Sequence, residues 1–294
     1  NTARQDLRKE DPGPLEPGDE VVTPALTFPT TLAPIVQNRL VPVFVDCELG
    51  AYNPSFEMVK AAIGPDTRAV FLPHTLGLPF DAEAVAGLCA ERGLWFLEDG
   101  CDALGARVKG KLVGTFGAMS SLSMYPAHHI TTGEGGAVIV NHPRLKRSVR
   151  SMQCWGKDCW CDPGKNNTCG KRFGWELGEL PMGYDHKYIY SNIGYNLKAT
   201  DMQAAVGCVQ ADRIEYVVQQ RRHNFMYLFR RLGQLDYAFI LPKLNPDVQI
   251  SPFGFPLTVS DTCRASRDEI VRFLEARNIE TRTVFGGNIL RQPG

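Results

Sequence analysis

Net charge is missing from this sequence: 32 Lys and Arg stand against 32 Asp and Glu. Without a surplus of positive charge, the term that dominates binding to phosphate backbones is lost, and nucleic acid is not an expected partner. Long apolar runs are missing too. The longest, such as Val41 to Val45 and Ala137 to Val140, are strand-sized, far short of the roughly 20 residues of a membrane helix, so no transmembrane segment is expected. An opening Met and the charged-then-apolar pattern of a secretory signal are absent from Asn1-Thr2-Ala3-Arg4-Gln5, and the chain reads as a fragment. Internal repeats and low-complexity tracts are also absent. Nine cysteines, an odd and unevenly clustered set, argue against a secreted disulfide scaffold and for reduced thiols in the cytoplasm.

What is present is an ordinary globular composition, 294 residues with 44% hydrophobic, enough for one or two sizeable cores. From Val21 to Val140, short β-branched or aromatic runs alternate with helix-length amphipathic segments, the pattern of parallel βαβ units. Strands are predicted at Val21 to Thr23, Val41 to Val45, Ala69 to Leu72, Leu94 to Leu97, Ser120 to Met124 and Ala137 to Val140. Helices are predicted near Thr30 to Gln37, Pro54 to Ile63 and Ala82 to Glu91. The stretch from 155 to 192 mixes Gly, Pro, Cys and Asn with scattered aromatics and has no sustained period; a loop this long usually serves a function or is disordered. Ile214, Val217, Val218, Phe225, Leu228, Phe229 and Leu232 then recur at helical spacing and predict one long amphipathic helix. A large domain over 1–235 and the start of a smaller one over 236–294 follow from this pattern.

The run Leu94 to Asp99 is a buried strand ending in two carboxylates, and ligands of open α/β sheets gather at the carboxyl ends of strands. Alone, such an end is as well explained by a helix cap. The run from Ser123 to Gly136 adds to it. Ser123, then His128 five residues on, then Glu134 of Glu134-Gly135-Gly136, resembles the cofactor loop of the sugar aminotransferases of the DegT-like superfamily, whose lysine occupies the position of His128. Phe28 in Pro24-Ala25-Leu26-Thr27-Phe28 resembles their ring-stacking aromatic. Glu98-Asp99 with Ala103-Leu104-Gly105 resembles their ring-nitrogen motif, and Gly194-Tyr195-Asn196 resembles the segment whose Asn reaches the cofactor phosphate of the neighbouring subunit. Lys198 stands where relatives commonly carry Arg. The resemblance runs from about Pro17 to Pro293 and implies an α/β, type I aminotransferase-like fold, a mostly parallel sheet with helices on both faces and a smaller C-terminal domain. It also implies a homodimer, with Asn196 acting across the subunit interface.

The implied roles are chemically sound. A carboxylate such as Asp99 keeps a pyridine nitrogen protonated, so that the ring accepts electrons from an adjacent carbanion; Ser123 can donate to the phosphate and Phe28 can lie flat on the ring. Asp102 is a weaker candidate for the same neighbourhood and serves equally well as a cap. Imidazole is not a primary amine, so His128 cannot tether the aldehyde cofactor, and no Lys lies between Lys111 and Lys146 to replace it. The cofactor would then be used as free pyridoxamine phosphate (PMP) with a 4-keto sugar, and His128 suits the removal of a methylene proton ahead of loss of the 3-hydroxyl. The bland alternative is that His128 fills a lysine-shaped space in an inactive relative.

Cys159-Trp160-Cys161 and Cys169 form Cys-x-Cys-x7-Cys inside the irregular stretch, and Cys101 follows Asp99 by two residues. Four thiolates bind zinc as readily as an iron-sulfur cluster. Together with Tyr125-Pro126-Ala127-His128-His129, Gly170 to Trp175 and Gly183 to Lys187, the set resembles a [2Fe-2S]-bearing 3-dehydratase branch of the family, in which Tyr125 is also implicated near the reaction centre. That resemblance implies a CDP-linked 4-keto-6-deoxyhexose substrate, a cluster on Cys101, Cys159, Cys161 and Cys169, and an NADH-dependent iron-sulfur flavoprotein reductase as electron donor. Two alternatives stay open: a cluster-free dehydratase acting on a GDP-linked sugar, and a catalytically silent zinc-bearing relative. Cys47, Cys89, Cys154, Cys208 and Cys263 are read as small core residues. His74, at the end of another strand, either faces the site or packs.

Overall fold

The computed structural model describes residues 11–162 and 164–294; the N-terminal stretch read above as the start of a fragment lies outside them. The described residues divide into two compact units, one formed by 11–14 and 142–202, the other by 15–141 and 203–294.

The larger unit is built on a six-stranded sheet. Its strands are β1 (Glu20–Pro24), β2 (Val41–Val45), β3 (Thr67–Pro73), β4 (Trp95–Asp99), β7 (Met119–Ser123) and β8 (Gly136–Val140), with the two-residue strands β5 (Arg107–Val108) and β6 (Lys111–Leu112) forming a small separate hairpin. The order is β2-β1-β3-β4-β7-β8. All neighbours run parallel except β7 and β8, so the expectation of a mostly parallel sheet holds. Each predicted strand and each of the first three helices is present, with ends moved by one or two residues.

Helices α1 (Pro29–Gln37), α2 (Phe56–Ala62) and α3 (Ala82–Arg92) connect the parallel strands. Their ends are chemically marked: Ser55 accepts from the Met58 amide, Asp81 accepts from the Ala84 amide, and Gly93 closes α3 in the left-handed region at φ 65°. Such caps satisfy amides and carbonyls that have no partner inside the helix. The core pairs Val22, Val70, Leu72 and Phe96 of the strands with Val59, Val85 and Cys89 of α2 and α3. Full burial of each Val or Leu side chain contributes about 1.5–3 kcal/mol. The sheet is therefore held from its interior, and the carboxyl ends of its strands are left to form a surface.

Helices α5 (Asp201–Ala211) and α6 (Ile214–Leu232) follow, the second as the apolar spacing predicts. A cluster of Tyr52, Leu78, Phe225 and Ile250 ties α6 and the following segment to the sheet-bearing part of the unit. Helix α7 (Arg267–Glu275) opens with a capping box between Ser266 and Glu269. The smaller unit contains α4 (Leu145–Gln153), and among its described residues the stretch 155–192 holds only a short 3-10 turn, His186–Tyr188, and an isolated bridge from Lys157 to Tyr190. No helix among the described residues is long and apolar enough to cross a membrane.

Candidate active site

Sheet register decides which side chains meet. Pro73 lies beside Asp99 and Asp99 beside Ser121, so the residues just past β3, β4 and β7 emerge next to one another. They line a cavity of about 380 Å³ bounded by Phe28, Thr30, Thr31, His74, Asp99, Cys101, Asp102, Ser123, Tyr125, His128, Phe253 and Phe285, among others. Seven residues named from the sequence are thus brought together: Phe28, Asp99, Cys101, Asp102, Ser123, Tyr125 and His128. His74 joins them.

Asp99 is fixed by three donors. Its Oδ2 accepts from Thr31 Oγ1 at 2.8 Å, and its Oδ1 accepts from Ser121 Oγ at 2.8 Å and from the Cys101 amide at 3.2 Å. Donors on both oxygens fix the orientation of the carboxylate. Phe28, the residue before α1, is half exposed and meets the Phe285 ring edge-on at 5.9 Å. Ser123 Oγ accepts from the Tyr125 amide at 3.2 Å, so its hydroxyl hydrogen is left for another acceptor. A flat aromatic, a fixed carboxylate and a hydroxyl donor around one cavity fit a phosphorylated pyridine in donor type. The adjoining Glu98 serves the fold instead. It is fully buried, with Oε2 accepting from His74 Nε2 and the Gly114 amide and Oε1 from the Phe116 and Gly117 amides.

His128 is tilted against the Phe253 ring at 4.9 Å, and its Nδ1 is 3.6 Å from Asp102 Oδ1. That separation is too long for a hydrogen bond, and Nδ1 is buried without a hydrogen-bond partner. Burial pushes the His128 imidazole below its usual pKa; Asp99 opposes the shift and Arg221 adds to it. The ring is thereby kept neutral and available to take a proton.

Asp102 has one oxygen on the Leu76 amide at 3.1 Å. Burial pushes its carboxyl up to about 7, with Asp99 reinforcing the shift and the Leu76 bond opposing it. An acid raised in this way binds more protons folded than unfolded across the window from about 4 to 7, so its ionisation costs stability as pH rises through that range. Asp102→Asn is therefore expected to gain stability over the unmodified protein at pH 8, by roughly 2–4 kcal/mol, and nothing at pH 4. Urea unfolding at the two pH values measures the difference.

The tight turn after β3 supports this wall. Leu76 adopts φ 55°, and a Cβ on Gly77 would lie 1.8 Å from the Ser251 carbonyl oxygen, so only glycine allows the approach. The Ser251 amide donates to Gly77 O and the Phe253 amide to Leu76 O. His129 is buried, and its Nε2 lies 3.1 Å from Ser251 O and 3.0 Å from Ser251 Oγ. Burial, with Arg221 adding, lowers the His129 pKa to about 4. Thr31, Ser121, Arg221, Ser251, Phe253 and Phe285 were not singled out in the sequence. Arg221 alone left a signal there, as a charged residue between Val218 and Phe225 on the apolar stripe of α6.

Asn196, Cys159, Cys161 and Cys169 belong to the smaller unit. Asn196 Oδ1 accepts from Lys198 Nζ at 2.9 Å, and that ammonium sits 3.5 Å over the Trp155 ring. Cys161 Sγ accepts from the Thr168 amide at 3.4 Å; Cys169 Sγ accepts from the Lys171 amide at 3.3 Å and meets His186 Nε2 at 3.6 Å. Hydrogen bonds from Thr168 lower the Cys161 pKa, whereas burial raises those of Cys159 and Cys101. Among the described residues, no three His, Cys, Asp or Glu side chains are grouped as ready metal ligands. All nine cysteines are free.

Comparison with known proteins agrees with this arrangement of motifs. The model of the DegT/DnrJ/EryC1/StrS aminotransferase family matches residues 13–293. This chain belongs to that family. Over 279 residues, 95% of the chain, it is 51% identical to dTDP-4-dehydro-2,6-dideoxy-D-glucose 3-dehydratase of Saccharopolyspora spinosa and 49% identical to a lipopolysaccharide biosynthesis protein of Salmonella typhimurium. It spans 60% and 64% of the lengths of those two relatives. Among solved structures it resembles E. coli GDP-4-keto-6-deoxy-D-mannose-3-dehydratase with bound hydrated PLP, with a TM-score of 0.85, 26% identity, and coverage of 99% of this chain and 71% of that one. The family fold expected from the motifs is therefore present.

Proposed function

We propose that the full-length protein is a PMP-dependent nucleotide-sugar 3-dehydratase that removes the 3-hydroxyl of a 4-keto-6-deoxyhexose. The observation that carries this reading is His128, kept neutral at the mouth of a cavity that also presents Asp99, Ser123 and Phe28. The names of the relatives support the reaction class, two of them being 3-dehydratases. They leave the nucleotide open between dTDP and GDP, and the CDP-linked substrate rests on the cysteine motif.

Bound PMP supplies an amine for the 4-keto group and a ring that accepts the electron pair released by deprotonation. Phe28 would cover one face of that ring, Asp99 would hold a proton at its nitrogen, and Ser123 would donate to the phosphate. His128 would take the proton released in that deprotonation and, once protonated, would return it to the departing hydroxyl oxygen. Tyr125, whose ring lies 6.2 Å from that of His128, borders the same space. Asp102 lines the same cavity and stands 3.6 Å from the imidazole, where it can also influence the base.

The motif resemblance assigns reductive completion to a [2Fe-2S] cluster, which Cys101, Cys159, Cys161 and Cys169 would hold. Thiolate sulfurs accepting backbone amides, as at Cys161 and Cys169, suit such a ligand set. The cluster, when bound, supplies electrons one at a time from an iron-sulfur flavoprotein reductase using NADH. A homodimer, in which Asn196 serves the neighbouring site, is supported by α5, which buries none of its residues and exposes Met202, Val206 and Val209.

Iron and sulfide analysis with EPR on anaerobically prepared full-length protein tests the reading. About two irons and two sulfides per chain and a signal on dithionite reduction are expected. Zinc without iron, in protein shown not to have lost a cluster, overturns the reductive part. Completed 3-deoxy product formed without iron supports the cluster-free alternative.

A further inference from the structure

Arg221 occupies a place on α6 that its neighbours give to apolar side chains, and its contacts explain the exception. Nη1 donates to the Phe253 carbonyl at 2.9 Å and to the Pro252 carbonyl at 3.5 Å; Nη2 donates to the Ala127 and His128 carbonyls, each at 3.4 Å. The adjacent Arg222 Nε donates to Ile250 O at 2.9 Å. One planar guanidinium thus joins two segments remote in sequence, the turn that carries His128 and the strand-like stretch whose Phe253 ring backs the imidazole. The Phe253 bond is the short one, and the three longer ones set direction more than strength. Among the described residues no carboxylate pairs with Arg221, so its charge is met by carbonyl dipoles, and it opposes protonation of both His128 and His129.

We infer that Arg221 is the positioning residue of the base: it clamps the 127–128 turn to residues 252–253 and so holds His128 in reach of the substrate proton. This rests on the reading of His128 as the base. Three features make the clamp specific. A guanidinium offers five donors in a fixed fork, whereas an ammonium is a point charge that cannot span both carbonyl pairs in one geometry. The second tie between the same segments, from His129 to Ser251, anchors the neighbouring residue and leaves the His128 carbonyl to Arg221. An error of about 1 Å in the position of a reacting group can cost about 100-fold in rate, so a long-range tether of this kind acts on kcat before KM. The charged or titratable groups around His128 are Asp99 at the end of β4, Asp102 and Cys101 in the turn after it, His129 and Tyr125 in its own turn, and Arg221 from α6. Phe253 and Phe285 are uncharged.

The test uses the full-length holoenzyme with Arg221→Gln, Arg221→Lys and, as reference, His128→Asn. Arg221→Gln is expected to lower kcat about 10- to 100-fold with little change in KM, and to move the acid limb of the kcat profile to higher pH, because the cation opposing protonation of His128 is gone. Arg221→Lys should restore the position of that limb while recovering only part of kcat, since it replaces charge without the fork. A reading that needs no turnover comes from NMR of histidine-labelled, cofactor-free protein: the His128 ring signal and its titration midpoint should shift in Arg221→Gln, with His74 and His186 unmoved. Unchanged ring signals and midpoint, or full recovery of kcat by Lys, overturn the clamp. Activity retained in His128→Asn overturns the functional reading instead, while the NMR result still decides whether Arg221 positions the ring.

Discussion

Replacing His128 by Asn is expected to lower kcat for loss of the 3-hydroxyl by about 10²- to 10⁴-fold, the usual contribution of a positioned general base, while the affinity for PMP stays close to that of the unmodified protein. The separation follows from the geometry. His128 lies at the rim with Tyr125 and Phe253, whereas the groups assigned to the cofactor are Asp99, Ser123 and Phe28, each held by contacts that do not involve the imidazole. Steady-state kinetics alongside a fluorescence titration of PMP would separate the two effects. An equal loss of binding and rate would mean that His128 is part of the cofactor cradle. Because burial depresses the imidazole pKa, the unmodified enzyme should hold its rate down to a lower pH than a solvent-exposed histidine would permit, and lose it as the ring protonates.

The second large effect concerns stability. Glu98→Ala is expected to cost about 3–5 kcal/mol, because each buried donor left without an acceptor costs about 1–3 kcal/mol. Four donors lose their acceptor at once: His74 Nε2 and the amides of Gly114, Phe116 and Gly117. Burial acts to raise the Glu98 pKa, but the His74 contact and the backbone amides outweigh it, and the group is held below its usual range. A carboxylate depressed by folding contributes stability that is present above its unfolded pKa of about 4.3 and lost as pH falls through the folded value. The cost of Glu98→Ala should accordingly shrink below pH 4. Denaturant unfolding of the variant at pH 7 and pH 3.5 measures this, and a loss that is the same at both would show that packing, not the carboxylate, carries the effect.

The acidic pair Glu98-Asp99 also shows how far a sequence can be read. Both carboxylates end the same buried strand, and family resemblance singles out Asp99, but only the alternation of side chains along β4 separates their tasks. Glu98 faces the core, where it organises the loop from Gly114 to Gly117, and Asp99 faces the cavity. Cys101 was expected to serve a cluster, and it does line the cavity wall. Its proposed partners Cys159, Cys161 and Cys169 lie in the smaller unit, where Cys161 and Cys169 accept backbone amides, a feature that spacing alone does not give. For Asp102 the structure adds contacts that spacing does not contain. From sequence it is a second carboxylate near the ring; in the structure it accepts from the Leu76 amide, stands near His128, and titrates near neutrality.

The sequence by itself determined the periodic elements. Apolar alternation and helical spacing are local properties, so six strands, three connecting helices and the long helix Ile214–Leu232 were legible, as was the cofactor loop, whose residues lie within 14 positions of each other. Tertiary structure decided which distant segments meet. The left-handed turn at Leu76 and Gly77 admits the 251–253 stretch to the cavity wall, Thr31 and Ser121 converge on Asp99 from either side, and Arg221 reaches back nearly a hundred residues to the turn that holds His128. Contacts of this kind follow from strand order and register, which are set by the packing of the whole core, and no window of local sequence contains them.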